Sequence, residues 1–270
     1  MPVIAVPSLD DSRVEPFQAV ADPDRLHRRG DFIAEGRLVV ERLIAARARY
    51  DIQALLLSDA ALPALAASVD LVPDVPVYVC AATEFRRLAG LNLHRGCLAL
   101  ARRPAPAAVD DLIAGARTVL VLEAIGNPDN IGGIFRNAAA FGVDAVLLSP
   151  GCGDPLYRKA IRTSMAATLT VPFAVLAPWP STLARLRGIG FRVVALTLQA
   201  DAVPLSGAAL TTIATRLALL LGAEGSGLSA DALAHTDLRV RIPMTSAVDS
   251  LNVAVACGVA LSHLAPVSVS

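Results

Sequence analysis

Lysine is nearly missing from this 270-residue sequence: among 24 basic side chains only Lys159 is a lysine, and the rest are arginine. The 24 acidic residues cancel them to a net charge of zero. That excludes a protein that holds nucleic acid through bulk positive charge, and leaves room only for a local patch. Arginine would suit planar phosphate contacts in such a patch. Cysteine is scarce too, with Cys80, Cys97, Cys152 and Cys257 forming no CxxC pair and the four histidines showing no ligand-like spacing with them. No metal site and no disulfide framework is expected, and a reducing cytoplasm is the natural compartment. The N-terminal MPVIAVPSLDDSRVEP meets acidic residues early and lacks the basic start and long apolar run of a signal peptide. Ser250 to Ser270 contains no Asp, Glu, Lys or Arg and is long enough to cross a bilayer. It also carries Asn252, Ser262, His263 and Pro266 with no basic flank, so a buried helix is expected and no membrane partner.

With 54% hydrophobic and 18% charged residues the chain can bury a large core, which excludes wholesale disorder. No repeat is apparent. The first ordered piece is expected near Arg28, with Phe32, Ile33, Leu38, Val39, Leu43 and Ile44 forming a helical stripe across FIAEGRLVVERLIAARARY. IQALLLSD, VPVYVCA and GCLALA read as strands. ALPALAASVDLV, with Pro63 in its first turn, and ATEFRRLAG, ending at Gly90, read as helices. This alternation predicts a small α/β domain over residues 1–101. Residues 102–117, rich in Pro and Ala, read as a linker with a short helix at VDDLIAGA. Residues 118–270 repeat the alternation more strongly. TVLVLEAI, DAVLLSP, LTVPFAVL, FRVVALTL, LALLLG and LRVRIPM are strands, and NIGGIFRNAAAFG, DPLYRKAIRTSMAAT, STLARLRGIG and SLNVAVACGVALSHL are helices. Strands apolar throughout predict a parallel sheet covered on both faces.

Three loops sit at the C-terminal ends of predicted strands, the edge where open parallel sheets bind ligands. In EAIGNPDNIGGIFR, Asn130 can cap the following helix, and Arg136 lies about one and a half turns in. Gly132 and Gly133 permit close approach by another chain or a ligand. In GAEGSGL, three glycines expose backbone groups, yet no lysine is present for a phosphate loop and Glu224 would repel phosphate. A neutral or cationic group fits that loop better. In IPMTSAVDSLN, Pro243 ends the strand, Ser250 can cap the last helix, and Asn252 offers donors and an acceptor. Each loop taken alone is equally well an ordinary turn or helix cap. In DPLYRKAIRTS, Arg158, Lys159 and Arg162 form either a solvated face or a small phosphate-contacting patch. No GxGxxG follows an early strand, which disfavours a dinucleotide-dependent enzyme.

Taken together, IGNPDNIGGIFRNAAAFGVDAVLL, LALLLGAEGSGLS and VRIPMTSAVDSLNVAVACGVAL resemble the three ordered motifs of the SpoU (TrmH-like) branch of the SPOUT RNA methyltransferases, over residues 118–264. RRGDFIAEGRLVVERL and HRGCLALARRP resemble the L30e-like RNA-binding domain often attached to that branch. The resemblance implies an α/β protein whose C-terminal parallel-sheet domain carries a deep trefoil knot, preceded by a small L30e-like α/β domain. Knots are nearly absent from proteins, so pattern reasoning would not have chosen one. It further implies S-adenosyl-L-methionine as cofactor, held bent by the knotted loops. The implied partners are RNA, either rRNA or tRNA, and a second copy in a homodimer whose RNA sites are built across the subunit interface.

Carried over onto matching positions, Gly222, Ile242 and Leu251 would hold the cofactor largely through backbone groups, supported by Met244 and Asn252, with Leu196 and Thr197 lining the pocket. Asn130 and Glu224 would order the active-site loops, Ser250 and Asn252 would lie near the transfer site, and Arg136 matches the catalytic arginine. The family commonly has glycine where Ser246 and Ala167 stand. The implied reaction is methyl transfer from a sulfonium to a ribose 2′-hydroxyl, the group that distinguishes RNA from DNA. For Arg136 two roles stay open: a general base, or a clamp on the adjacent phosphate and the forming alkoxide.

Overall fold

The computed structural model describes residues 3–88, 96–205 and 216–264. Strands and helices alternate through most of it. In chain order the first elements are β1 (Val3–Ala5), α1 (Glu15–Gln18), α2 (Pro23–Arg29), β2 (Asp31–Glu35), α3 (Arg37–Ala45), β3 (Ile52–Ser58), α4 (Leu62–Val69), β4 (Val77–Cys80), α5 (Ala82–Arg87) and β5 (Cys97–Arg102). Then come α6 (Val109–Ala114), β6 (Thr118–Glu123), α7 (Pro128–Ala140), β7 (Ala145–Leu148), α8 (Arg158–Thr163), α9 (Ala167–Thr170), β8 (Phe173–Val175) and α10 (Thr182–Gly188). The last are β9 (Arg192–Leu196), β10 (Val203–Pro204), β11 (Leu217–Gly222), α11 (Ala230–Ala234), β12 (Leu238–Arg241) and α12 (Val253–Leu264). They form two compact units, one of residues 1–105 with 155–169, the other of residues 106–154 with 170–270.

The first unit is built on a five-stranded sheet in the order β1-β4-β3-β5-β2. The β1-β4-β3 run is parallel, while β5 runs antiparallel to both β3 and β2. Two expectations fail here. FIAEGRLVVERLIAARARY is not one helix, because Asp31–Glu35 is a fully buried strand and Gly36, at φ +97, turns the chain into α3. Order also begins well before Arg28: Val14, Phe17, Val20 and Leu26 are buried in one core cluster with Ile33, Leu56, Phe85 and Leu98. The period-3.6 reading failed because Phe32 to Ala34 satisfy a buried strand equally well. The proposed helix end at Gly90 lies outside the described residues.

The second unit carries a seven-stranded sheet, β10-β12-β9-β11-β6-β7-β8, parallel at every pairing. Alternate residues face opposite layers. Val119, Val121, Val193 and Leu220 join Leu183, Leu186, Phe191 and Leu233 on one face, together with Ile113 of α6. The 102–117 stretch thus contributes a helix to this core. On the second unit's other helices, α7 and α12 lie against each other. A Cβ on Gly133 would stand 2.7 Å from Ala254 Cβ, so the Gly-Gly pair admits a neighbouring helix. Asn137 donates to the Ala254 carbonyl at 2.6 Å across the same seam.

The DPLYRKAIRTSMAAT stretch is not one helix. Met165 (φ +52) and Ala166 (φ +67) are left-handed and separate α8 from α9. Left-handed backbone outside glycine occurs among the described residues only at Ala124, Met165 and Ala166, so neither Ser246 nor Ala167 needs a glycine for its φ.

Candidate functional site

Each of the adjacent strands β12, β9 and β11 ends in a loop, and the three loops meet in one cleft of about 580 Å³. That is the size range of small-molecule sites. Leu196 and Thr197 line it from β9, Gly222 and Glu224 from β11, and Ile242 and Met244 from beyond β12. Ser250 and Leu251 close it ahead of α12. Six of the seven proposed cofactor residues therefore line one cleft, and the seventh, Asn252, is not among its lining residues.

The glycine-rich loop folds back on itself. Ala223 bridges Gly227, and the Gly227 N–H donates to the Ala223 carbonyl at 3.0 Å. Gly225 and Gly227 have φ of +86 and +67, which side-chain-bearing residues rarely adopt. A Cβ on Gly222 would lie 2.4 Å from the Gly227 carbonyl carbon, so no side chain fits there. The loop thus presents main chain, as a site that binds through backbone groups must.

Among the described residues the lining includes the carboxylates of Glu224 and Asp249 and no cationic side chain, with Leu196, Leu221, Ile242, Leu251 and Val253 supplying apolar walls. Such a surface disfavours phosphate. It suits an adenine-sized apolar group attached to positively charged sulfonium and ammonium groups. These residues fit S-adenosylmethionine.

Asn252 ties the loops together. Its Nδ2 donates to Asn130 Oδ1 at 2.8 Å and to Glu224 Oε1 at 2.9 Å, and its Oδ1 accepts from the Ala254 and Val255 N–H groups at 3.0 and 3.3 Å. Asn252, not Ser250, therefore caps α12. Likewise the α7 cap is Asn127, whose Oδ1 accepts from Asp129 N at 2.9 Å, with Pro128 in the first turn. Asn130 sits inside the helix, buried and facing Asn252. Both helices start earlier or later than their cap-like residues suggest, because Ser, Asn and Asp crowd each start and local pattern does not rank them.

Arg136 is not among the cleft-lining residues. It is exposed on α7, and its side chain has no hydrogen bond or ion pair with any described residue. In the first unit, Arg158 donates to the buried carboxylate of Glu35 at 2.6 Å and keeps only 13% of its side chain exposed, while Arg162 reaches the same carboxylate at 3.6 Å with half exposed. Lys159 lies between them on α8. Glu35 was not foreseen, nor was Glu123, a buried carboxylate ending β6. The signal for Glu123 was a single acid closing an otherwise apolar strand, TVLVLE. Leu198, Gln199 and Asp249 also line the cleft unforeseen. Among the described residues no cluster of His, Cys, Asp or Glu could hold a metal, and no helix is long and apolar enough to cross a membrane.

A parallel sheet whose strand ends gather a cleft lined by main chain, apolar side chains and carboxylates defines an α/β protein that binds a small molecule at its strand ends. The chain superposes on an AdoMet-bound rRNA methyltransferase from Sinorhizobium meliloti with a TM-score of 0.84, at 23% identity over 99% of each chain. Residues 117–262 match the SpoU rRNA Methylase family. A tRNA/rRNA methyltransferase of Mycobacterium bovis is 45% identical over 93% of this chain and 88% of its own. The 23S rRNA (guanosine(2553)-2′-O)-methyltransferase RlmP of Bacillus subtilis is 29% identical over 92% of this chain and 96% of its own. The chain belongs to the SpoU rRNA methylase family.

Proposed function

We propose that this chain methylates the 2′-hydroxyl of a ribose in 23S rRNA, as a cytoplasmic homodimer whose RNA sites span the subunit interface. The activity is that of an S-adenosylmethionine-dependent RNA 2′-O-ribose methyltransferase. The observation that carries the site assignment is Asn252, which joins Asn130 and Glu224 at the edge of the cleft. Bound there, the cofactor supplies a methyl group already activated by a positive sulfur. As the methyl group moves from sulfur to the ribose oxygen, leaving a neutral thioether, the hydroxyl proton passes to water, and the protein's main task is alignment, which can lower a barrier by about 7–11 kcal/mol at best. Gly222, Ile242 and Leu251, with Leu196, Thr197 and Met244, hold the donor, while Glu224 and Ser250 border the point of transfer.

Arg136 supports the dimer. It is exposed, unpaired among the described residues and outside its own cleft. In our reading it serves the RNA bound at the partner copy, gripping the phosphate beside the target ribose and stabilising the forming alkoxide. A guanidinium holds its proton too firmly to be a ready general base. Residues 1–101 bind substrate RNA, the 102–117 stretch leads into the methyltransferase domain, and the C-terminal segment is threaded as a trefoil. The sheet order, with β9 between β12 and β11, and the seating of α12 on α7 support that threading. Lys159 and Arg162 contact phosphate, with Arg158 anchored by Glu35 beside them.

Ribose-methylation mapping of 23S rRNA from a deletion strain beside its parent tests the substrate. One 2′-O-methyl mark disappears, and the purified chain restores it on the unmarked RNA with labelled S-adenosylmethionine. A chain that binds the donor but transfers nothing to that RNA would be a binding module instead.

A further inference from the structure

We propose that Glu123 is a positioning residue for the donor site: it clamps the base of the 222–229 loop and so holds the loop's main chain in its binding shape. This rests on the cleft being the donor site. Glu123 ends β6 directly opposite Gly222, the last residue of β11. Its carboxylate is buried, and no cation among the described residues pairs with it. Instead it takes three hydrogen bonds. Oε1 accepts from Ser229 Oγ at 2.6 Å and from Trp179 Nε1 at 2.8 Å, and Oε2 accepts from Ser229 N at 2.9 Å. Ser229 also caps α11, its Oγ accepting from Ala232 N at 3.1 Å. The loop therefore leaves the sheet beside Glu123, at Gly222, and returns to the same residue at Ser229.

The chemistry requires a carboxylate. Trp179 Nε1 and Ser229 N can only donate, and they address different oxygens of Glu123. A glutamine has one acceptor oxygen, so in either orientation its own N–H₂ would face one of the two donors. The serine hydroxyl can reverse its role, but these N–H groups cannot. An aspartate keeps both acceptors and withdraws them by one methylene. With the base of the loop fixed, the donor does not have to order it on binding, which is how preorganisation raises affinity.

Amide hydrogen exchange on the ligand-free protein and calorimetry with S-adenosylmethionine test this. In Glu123→Gln, exchange across 222–229 should rise and the donor Kd should increase, each by about 10-fold, with β12 and α12 unchanged and kcat at saturating donor within about 3-fold. The double variant Glu123→Gln/Trp179→Phe should recover most of the protection and affinity, because removing the indole N–H frees the glutamine to turn its oxygen to Ser229 N. Unchanged exchange in Glu123→Gln, or a loss spread over the whole second unit that Trp179→Phe does not relieve, overturns the clamp. A wild-type protein that fails to bind S-adenosylmethionine overturns the reading of the cleft, while the exchange data still judge the clamp by themselves.

Discussion

Asn252 and Asn130, 122 positions apart in the chain, are joined by a single hydrogen bond of 2.8 Å. The second N–H of the same Asn252 amide goes to Glu224, and its oxygen caps α12. One side chain thus commits all its polar groups to three segments that meet at the cleft.

Asn252→Asp should separate these duties. The cap survives, because a carboxylate still accepts from Ala254 N. The two donors become acceptors facing Asn130 Oδ1 and Glu224. Stability should fall by about 1–3 kcal/mol, the cost of mispaired polar groups, and methyl transfer should drop far more than the cap alone explains. Urea unfolding and a tritium-transfer assay on the same preparation check both, and an Asp variant with full activity would remove Asn252 from the site.

Gly133→Ala should push α7 from α12, since its Cβ would stand 2.7 Å from Ala254 Cβ. Overpacking of this kind costs about 1–3 kcal/mol. Ala254→Gly should return part of that loss in the double variant, as contacting residues couple. Denaturant midpoints for the four proteins of the cycle measure it, and strictly additive losses would mean the two residues do not meet.

Arg136→Ala should reduce transfer by about 100-fold or more, the scale for losing one group that stabilises developing charge. Donor affinity should stay within about 2-fold by calorimetry, because Arg136 does not line its own cleft. An equal loss of both would refute the assignment. Arg136→Lys keeps the charge and loses the planar fork, so near-full activity in that variant would rule out a bidentate clamp.

Burial pushes the Cys257 thiol up from 9.0 to about 12. Between those values the folded chain keeps a proton that the unfolded chain has lost. Its contribution to stability is complete below about pH 9 and is lost as the pH rises toward 12, at a slope of at most about 1.4 kcal/mol per pH unit. In urea unfolding between about pH 8 and pH 11, stability should therefore decline less steeply for Cys257→Ala than for the parent. Equal slopes would show that the thiol is not protected.

Much of the second unit was readable because its signals are local. Apolar strands such as TVLVLE and LALLLG, separated by glycine-rich or Pro-terminated loops, specify a parallel sheet with ligand-binding strand ends whatever else the chain does. The first unit was harder. Phe32 to Ala34 fit a helix stripe and a buried strand alike, and only pairing with Ala99 to Ala101 of β5 decides between them.

Amino-acid order alone determined which loops carry main chain rather than side chains, since glycine's missing Cβ and proline's missing N–H act wherever those residues stand. Only the folded molecule decided which caps form, that Gly133 serves a helix contact with Ala254, and that Glu123 and Glu35 are partners to distant donors. Those outcomes depend on which groups lie within hydrogen-bond reach after the sheet is assembled, and sequence separation does not encode that distance.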